Sequence, residues 1–358
     1  SFATAMTLTN GTFRLSNSNV TLTLSTTNSF TIPSTGCLSA NLGTMNVGAA
    51  NNNASDLLLL GSLEILNAGI VNIGNNGGSN NDIEYAASGT PEINISGGSL
   101  NVDGQVRRNL ANTLGSLIYN QSGGTVTVNG NSFDATRSMF EVLNTGSQFN
   151  VTGGNLIVVK AGSSYADFYL EPGSYTVNSS NGGHTVTIGN SSTAAAQTFK
   201  LNSVAPLWNL TVDGTTNNKT ASLSINAITI LNNLTINGTG SIFKANDLSV
   251  TIGGSLINNN TTPATGTNVG GYQAGVAASS TQTTTFTGTG TITGTGSNLT
   301  NFANLVIGSL STTPSITLGS SSNIRVNTNL TLTSGTFADV GNTITAMGNV
   351  SNSAIHSS

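Results

Sequence analysis

The sequence predicts an all-β chain wound as a parallel β-helix, a β-solenoid of about 13 coils of 24–32 residues. Three observations point there. A glycine-cornered strand motif recurs at near-regular spacing through the first half of the chain. Apolar residues alternate with polar ones in short runs, the period of a strand with one buried face. Glu, Lys and Arg, the polar residues that favour helices, are scarce in a chain only 6% charged, and no segment holds a helical period.

The motif is clearest at Ile95-Ser96-Gly97-Gly98-Ser99-Leu100-Asn101-Val102, and copies begin at Leu8, Ala40, Leu66, Gln121 and Val151. Glycines equivalent to Gly98 fall at 11, 43, 69, 124 and 154, so successive steps are 32, 26, 29, 26 and 30 residues. A further copy, His184-Thr185-Val186-Thr187-Ile188, keeps the strand but has its glycine pair one residue early. Two apolar columns emerge. One holds Phe13, Met45, Val71, Leu100, Val126, Leu156 and Val186; the other holds Leu15, Val47, Ile73, Val102, Val128, Val158 and Ile188. Side chains two apart share a strand face, so both columns should point inward and stack coil over coil. The residues between them (Arg14, Asn46, Asn72, Asn101, Thr127, Ile157, Thr187) should face outward. Asn, Ser and Thr there can share hydrogen bonds from coil to coil, and glycine supplies the positive φ that tight corners demand.

From about residue 200 the signature changes. Trp208-Asn209-Leu210-Thr211-Val212-Asp213-Gly214 recurs 24 residues later as Asn232-Asn233-Leu234-Thr235-Ile236-Asn237-Gly238. Related strands are expected at 247–253, 304–308 and 329–332. The least patterned stretch, 258–284, is either one irregular coil or a projecting loop. No linker isolates one half of the chain, so 1–358 reads as a single continuous solenoid. Its coils are long over 1–190 and shorter over 200–358, with an irregular insertion near 258–284. At about 4.8 Å per strand such a stack is on the order of 60 Å long. Neither end reads as a cap, so the repeats are expected to continue in a longer chain or in a second copy.

Composition narrows the function. A net charge of −4 with nine Lys+Arg leaves no basic stripe to neutralise phosphates, which argues against nucleic acid as a partner. The single Cys37 excludes an internal disulfide framework and a CxxC metal knuckle, and reads as a small core or corner residue. The longest apolar runs, 57–60 and 156–159, are too short to span a bilayer. The chain opens on Ser1 with no signal peptide, as a processed protein or a segment of a larger one would.

The stretches at 95–102 (ISGGSLNV) and 121–128 (QSGGTVTV), with NLTVDG, NNLTING and NLTLTSGTF further on, carry a resemblance. They resemble the repetitive β-helix segments of large secreted surface proteins of the Bacteroidota, many exported by the type IX system. The resemblance covers most of the chain. It implies a right-handed parallel β-helix and an extracellular surface, adhesin or fibre role, and it transfers no catalytic residue. The sorting domain that such proteins carry at the C-terminus is not visible here.

The reading is therefore a non-enzymatic extracellular structural or adhesive element with no cofactor and no metal, its partner another copy or further repeats. The competing reading is a glycan-binding or polysaccharide-cleaving β-helix. Two loose acidic groups bear on it: Asp82, Glu84, Glu92 and Asp103, then Asp134, Glu141, Asp167 and Glu171. Register argues against a shared site, because Asp103 follows its anchor glycine and Glu92 precedes its own. Asp134 and Arg108 both lie ten residues after their anchors and are expected to form a surface ion pair. Tyr165, Tyr169, Tyr175 and Trp208 are the candidate glycan contacts, since aromatic faces can serve as sugar platforms. His184 and His356 are too far apart in sequence for a metal or triad set, and His184 is expected to face solvent. Gly288-Thr289-Gly290-Thr291-Ile292-Thr293-Gly294 lacks the spacing of a phosphate loop and reads as a strand between glycine corners.

Overall fold

A computed structural model describes residues 6–24, 28–48, 55–74, 80–109, 113–262, 266–277, 279–294 and 300–358. Among the described residues every regular element is a strand and every described strand pairing is parallel; one antiparallel bridge, Ser309↔Thr312, lies in a turn. The chain divides into two compact units, Ser1–Val186 and Thr187–Ser358. Each is a β-solenoid.

In the first unit each coil contributes strands to up to three ladders. One runs through Gly11–Leu15, Gly36–Ala40, Ser62–Ile65, Glu92–Ile95 and Ile118–Gln121 into the second halves of the long strands Phe140–Val151 and Phe168–Val177. A second stacks Thr21–Leu24, Thr44–Val47, Ile70–Ile73, Ser99–Val102, Thr125–Val128 and Asn155–Val158. A third stacks Phe30–Ile32, Leu57–Leu59, Ile83–Tyr85 and Val106–Arg108 onto the first halves of the two long strands.

The second ladder is the one the motif describes. Met45, Val71, Leu100, Val126 and Leu156 sit in register, as do Val47, Ile73, Val102, Val128 and Val158, and none is more than 1% exposed. Each such side chain contributes about 1.5–3 kcal/mol on burial, which no single coil can realise without its neighbours. Between the columns, Asn72 donates to Asn46 at 2.7 Å and Asn101 to Asn72 at 2.8 Å, a ladder of side-chain amides. A second amide ladder runs Asn150 to Asn120 to Asn94 on the neighbouring face.

The corner glycines have two physical reasons. Gly98 has φ +59°, and a Cβ on it would stand 2.0 Å from the carbonyl oxygen of Gly69 in the coil beneath. Gly69 is not at positive φ, yet its Cβ would meet the Ala40 carbonyl oxygen at 2.1 Å. Close approach of stacked turns therefore selects glycine even where the backbone conformation does not.

Two sequence expectations require correction here. Phe13 and Leu15 do not join the Met45 and Val47 columns. Leu22 and Leu24 do, while Phe13 and Leu15 stack on Leu38 and Ala40 of the adjacent ladder. Both ladders carry the same alternation behind a corner, so Gly11–Leu15 imitates the motif of its neighbour. Cys37 is neither core nor corner: it occupies a half-buried outward position between Thr12 and Ser62, and Leu38 takes the core.

The second unit repeats the logic with shorter coils. Asn209–Asp213, Leu234–Asn237, Leu256–Asn258, Gly290–Thr293, Ser315–Leu318, Thr336–Ala338 and Ile355–Ser357 form one ladder. The related strands expected around Val250, Leu305 and Leu330 are present and belong to a second ladder. It stacks Ile228–Ile230, Val250–Ile252, Thr283–Phe286, Thr300–Ile307, Ile324–Leu332 and then Ile344–Ala346 with Asn349–Asn352. A third ladder holds Gln197–Ser203, Lys219–Leu223, Ile242–Lys244 and Tyr272–Gln273. The stretch 258–284 is a wide coil rather than a loop clear of the stack: Tyr272 pairs with Phe243 in register and stacks on it at 5.8 Å. Positions 263–265 and 278 lie outside the described residues. The glycine-rich 288–294 stretch is a strand over Gly290–Thr293, as expected.

Candidate functional site

The third ladder of the first unit is where charge collects. Its inward residues Ile83, Tyr85, Val106, Phe140, Val142, Phe168 and Leu170 are fully buried. Its outward positions place Glu84 beside Arg107 and Glu141 beside Tyr169. Arg107 reaches Asp82 at 2.7 Å and Glu84 at 2.6 Å with the same terminal nitrogen, and the three side chains are 5%, 7% and 12% exposed. Asp82 also accepts the backbone N–H of Gln105, and Asp56 accepts that of Asp82 at 2.8 Å. Burial pushes the Asp82 carboxyl up to about 7 against the pull of Arg107, and it pushes Glu84 and Asp56 upward too. Three carboxyls around one guanidinium favour retention of a proton within the group.

Arg108 turns to the next coil. Its Nε donates to Glu141 Oε1 at 2.9 Å, the same oxygen accepts the Arg108 backbone N–H, and a terminal nitrogen donates to the Thr113 carbonyl at 3.0 Å. Gln105 pins the following loop by donating to the Ser138 carbonyl at 2.9 Å and accepting the Asp134 N–H at 2.9 Å. Asp167 accepts the N–H groups of Gly162 and Ser163 at 2.7 and 2.8 Å, which fixes the turn that presents Tyr165. Between these supports lies an open groove of about 640 Å³. Its lining includes Arg108, Arg137, Glu141, Tyr165, Tyr169 and Glu171.

Of the candidate glycan contacts, the structure brings together Tyr165 and Tyr169. Tyr165 is 63% exposed at the groove. Tyr175 is half exposed but lies outside the groove lining, in register with Phe149, and Trp208 belongs to the second unit. Of the acidic groups, Asp82 and Glu84 meet at Arg107, whereas Glu92 sits on the strand Glu92–Ile95 beside Asn94. Glu141 and Glu171 line the groove, while Asp134 and Asp167 cap loop N–H groups.

The expected Asp134–Arg108 pair does not form, because Arg108 pairs with Glu141 and Asp134 receives Thr136. Counting from the anchor glycine fails here. Val106 lies eight residues after Gly98, but its register partner Phe140 lies sixteen after Gly124. The extra residues form the loop that walls the groove. Arg137 and Ser138 on that loop carried no sequence signal; the Arg107-Arg108 dipeptide, in a chain with nine Lys+Arg, was the available clue.

His184 is a second correction: it is fully buried, packed edge-on against Phe149 at 6.1 Å. Gln121 donates its amide hydrogens to the carbonyls of Gly123, Gly124 and Asn155, so its Oε1 is an acceptor. Tyr119 donates to that oxygen at 2.6 Å, and His184 Nε2 carries the proton of the 2.9 Å contact with it. Burial pushes the imidazole down to about 3, so it is neutral. His356 lies in the second unit, 3.1 Å from Asp339. Among the described residues no group of three or more His, Cys, Asp or Glu is placed to hold a metal ion.

Compared with protein families, with curated proteins and with solved structures, the chain gives no match.

Proposed function

We propose that this chain is a structural and adhesive element displayed outside the cell, and that its second unit goes on stacking further rungs, supplied by later repeats of a longer chain or by another copy joined end to end. The observation that carries this reading is the state of the last rung. Asn349–Asn352 pairs in register with the coil beneath, yet Val350 is 59% exposed while Leu330 directly under it is 5% exposed. Met347, on the same rung, is 58% exposed. A further coil laid on this rung would cover these apolar side chains and pair its strand, as Val350 covers Leu330. A head-to-tail contact of this kind propagates instead of closing. The neutral amide ladders along each unit support the reading, since they repeat coil by coil and present no charge to repel a second copy. The surface setting rests on the sequence resemblance.

The test is sedimentation velocity and negative-stain microscopy of the purified chain over a concentration series. Assemblies that lengthen along one axis are expected, together with their loss in the double variant Met347→Lys, Val350→Lys. Monomers at every concentration, or assembly indifferent to the double variant, would refute end-to-end joining.

A further inference from the structure

The groove beside the third ladder of the first unit is built for something other than stacking. We propose that it binds a neutral oligosaccharide, with Tyr165 and Tyr169 as the platform and the Arg108–Glu141 pair as the polar floor. This inference is independent of end-to-end joining, since the groove and the open rung lie in different units.

The groove's volume, about 640 Å³, falls within the range of about 300–1,000 Å³ usual for small-molecule sites. Its construction is rigid at each supporting point. Glu141 is 1% exposed and held by two N–H donors of Arg108. The turn carrying Tyr165 is fixed by Asp167, and Asn144 bridges the rim by donating to the carbonyls of Thr113 and Gly115 at 3.0 and 2.6 Å. Fixed polar groups beside an exposed aromatic ring are the features of a preformed site.

Charge selects the class of occupant. Two guanidiniums, Arg108 and Arg137, and two carboxylates, Glu141 and Glu171, line the groove, so its formal charges cancel. A uronate polymer, a phosphate or a polycation would meet a like charge as readily as an opposite one. A ligand rich in hydroxyls meets no such penalty, because each hydroxyl both donates and accepts. The half-buried Glu171 carboxylate as acceptor and the Arg108 guanidinium as donor suit the hydroxyls of a sugar ring, with charge-assisted hydrogen bonds, while Glu141 holds Arg108 in place from beneath. The CH-rich face of the same ring suits a tyrosine face, which retains its apolar area at an exposed position. Apolar ligands without hydroxyls fit less well, since they would strip water from the part of the Arg108 guanidinium that is still exposed, with nothing to replace it.

The test is isothermal titration calorimetry of the whole chain against neutral hexasaccharides (β-1,4- and β-1,3-linked glucose, α-linked mannose) and against oligogalacturonate. One neutral hexasaccharide is expected to bind with one site per chain, and its affinity should change less than twofold between 50 and 300 mM NaCl. Tyr165→Ala should weaken it at least tenfold. Tyr165→Trp should stay within threefold of the native chain, and Tyr175→Ala, outside the groove, should match it. Tyr165 is exposed, so its loss should leave the thermal unfolding midpoint unchanged, which separates a binding role from a folding one. The proposal is overturned if none of the neutral hexasaccharides binds, if only oligogalacturonate binds, or if Tyr165→Ala binds as the native chain does.

Discussion

Between stacked coils the first unit gives several of its corner N–H groups to carboxylates, and the second gives the same kind of group to amides. Asp56 takes the N–H of Asp82, Asp82 that of Gln105, and Glu141 that of Arg108. In the second unit Asn202 takes the N–H of Asn226, Asn209 that of Asn233, and Asn233 that of Ser255. The hydrogen-bond geometry is equivalent, but the consequence differs. An amide oxygen is satisfied once it has a donor; a buried carboxylate also needs a counter-charge. Arg107 and Arg108 are that counter-charge, and the loops that accommodate them open the groove. Charge here follows from how a corner is capped, and a surface for binding follows from the charge.

Removing the counter-charge should have the largest effect on stability. Arg107→Leu leaves Asp82 and Glu84 buried without it and should cost about 3–5 kcal/mol in denaturant unfolding. Arg325→Leu in the second unit removes a half-buried arginine whose Nε donates to Asn327, and should cost about 1 kcal/mol. Equal costs would mean that Arg107 is worth no more to its buried carboxylates than an ordinary side-chain hydrogen bond.

The second test uses pH. His184 is held neutral, with its folded value near 3 and its unfolded value near 6.5. The unfolded chain then binds more protons between these values, so the contribution of His184 is full above pH 6.5 and is lost as pH falls toward 3. The raised Asp82 carboxyl works with the opposite sign, its penalty growing as pH rises from its ordinary value toward 7. The difference between the native chain and His184→Gln isolates the imidazole. The native chain should lose about 1.4 kcal/mol per pH unit relative to the variant below pH 6.5. A pH-independent difference would place a charged imidazole in the core.

The smallest and sharpest effect is a corner exchange. Asp56→Asn keeps an acceptor for the Asp82 N–H and removes one of three carboxyls around Arg107. Stability at pH 7 should stay level or rise by up to about 1 kcal/mol. A loss of more than about 1 kcal/mol would show that the charge itself, and not the acceptor, is what that corner uses.

The comparison also explains what was legible in the sequence. The columns from Met45 to Leu156 and from Val47 to Val158 were readable because a glycine corner fixes where the alternation starts. The assignment of Phe13 was not, because two adjacent faces obey the same period and period alone does not name the face. The same ambiguity applies to the Leu234 and Leu305 strands, which carry similar motifs yet lie on different ladders. Tyr165 and Tyr169 stood out as neighbours in sequence. The Arg108–Glu141 pair did not, since loops of unequal length separate each corner from the third ladder and spoil counting. His184 was hidden for a related reason. A histidine replacing a corner residue looks exposed until the Gln121 amide that receives it, 63 residues earlier, is brought beneath it.

In-register stacking underlies all of this, and pulsed electron–electron spin resonance measures it directly. In a Cys37→Ser background, one nitroxide on Thr23→Cys is paired in turn with Asn101→Cys, Thr127→Cys and Ile157→Cys, which occupy one outward column. At about 4.8 Å per coil, the distances should be about 14, 19 and 24 Å, rising by one equal step each time. Distances that fail to climb in order, or that jump by unequal steps, would contradict a stack of registered coils.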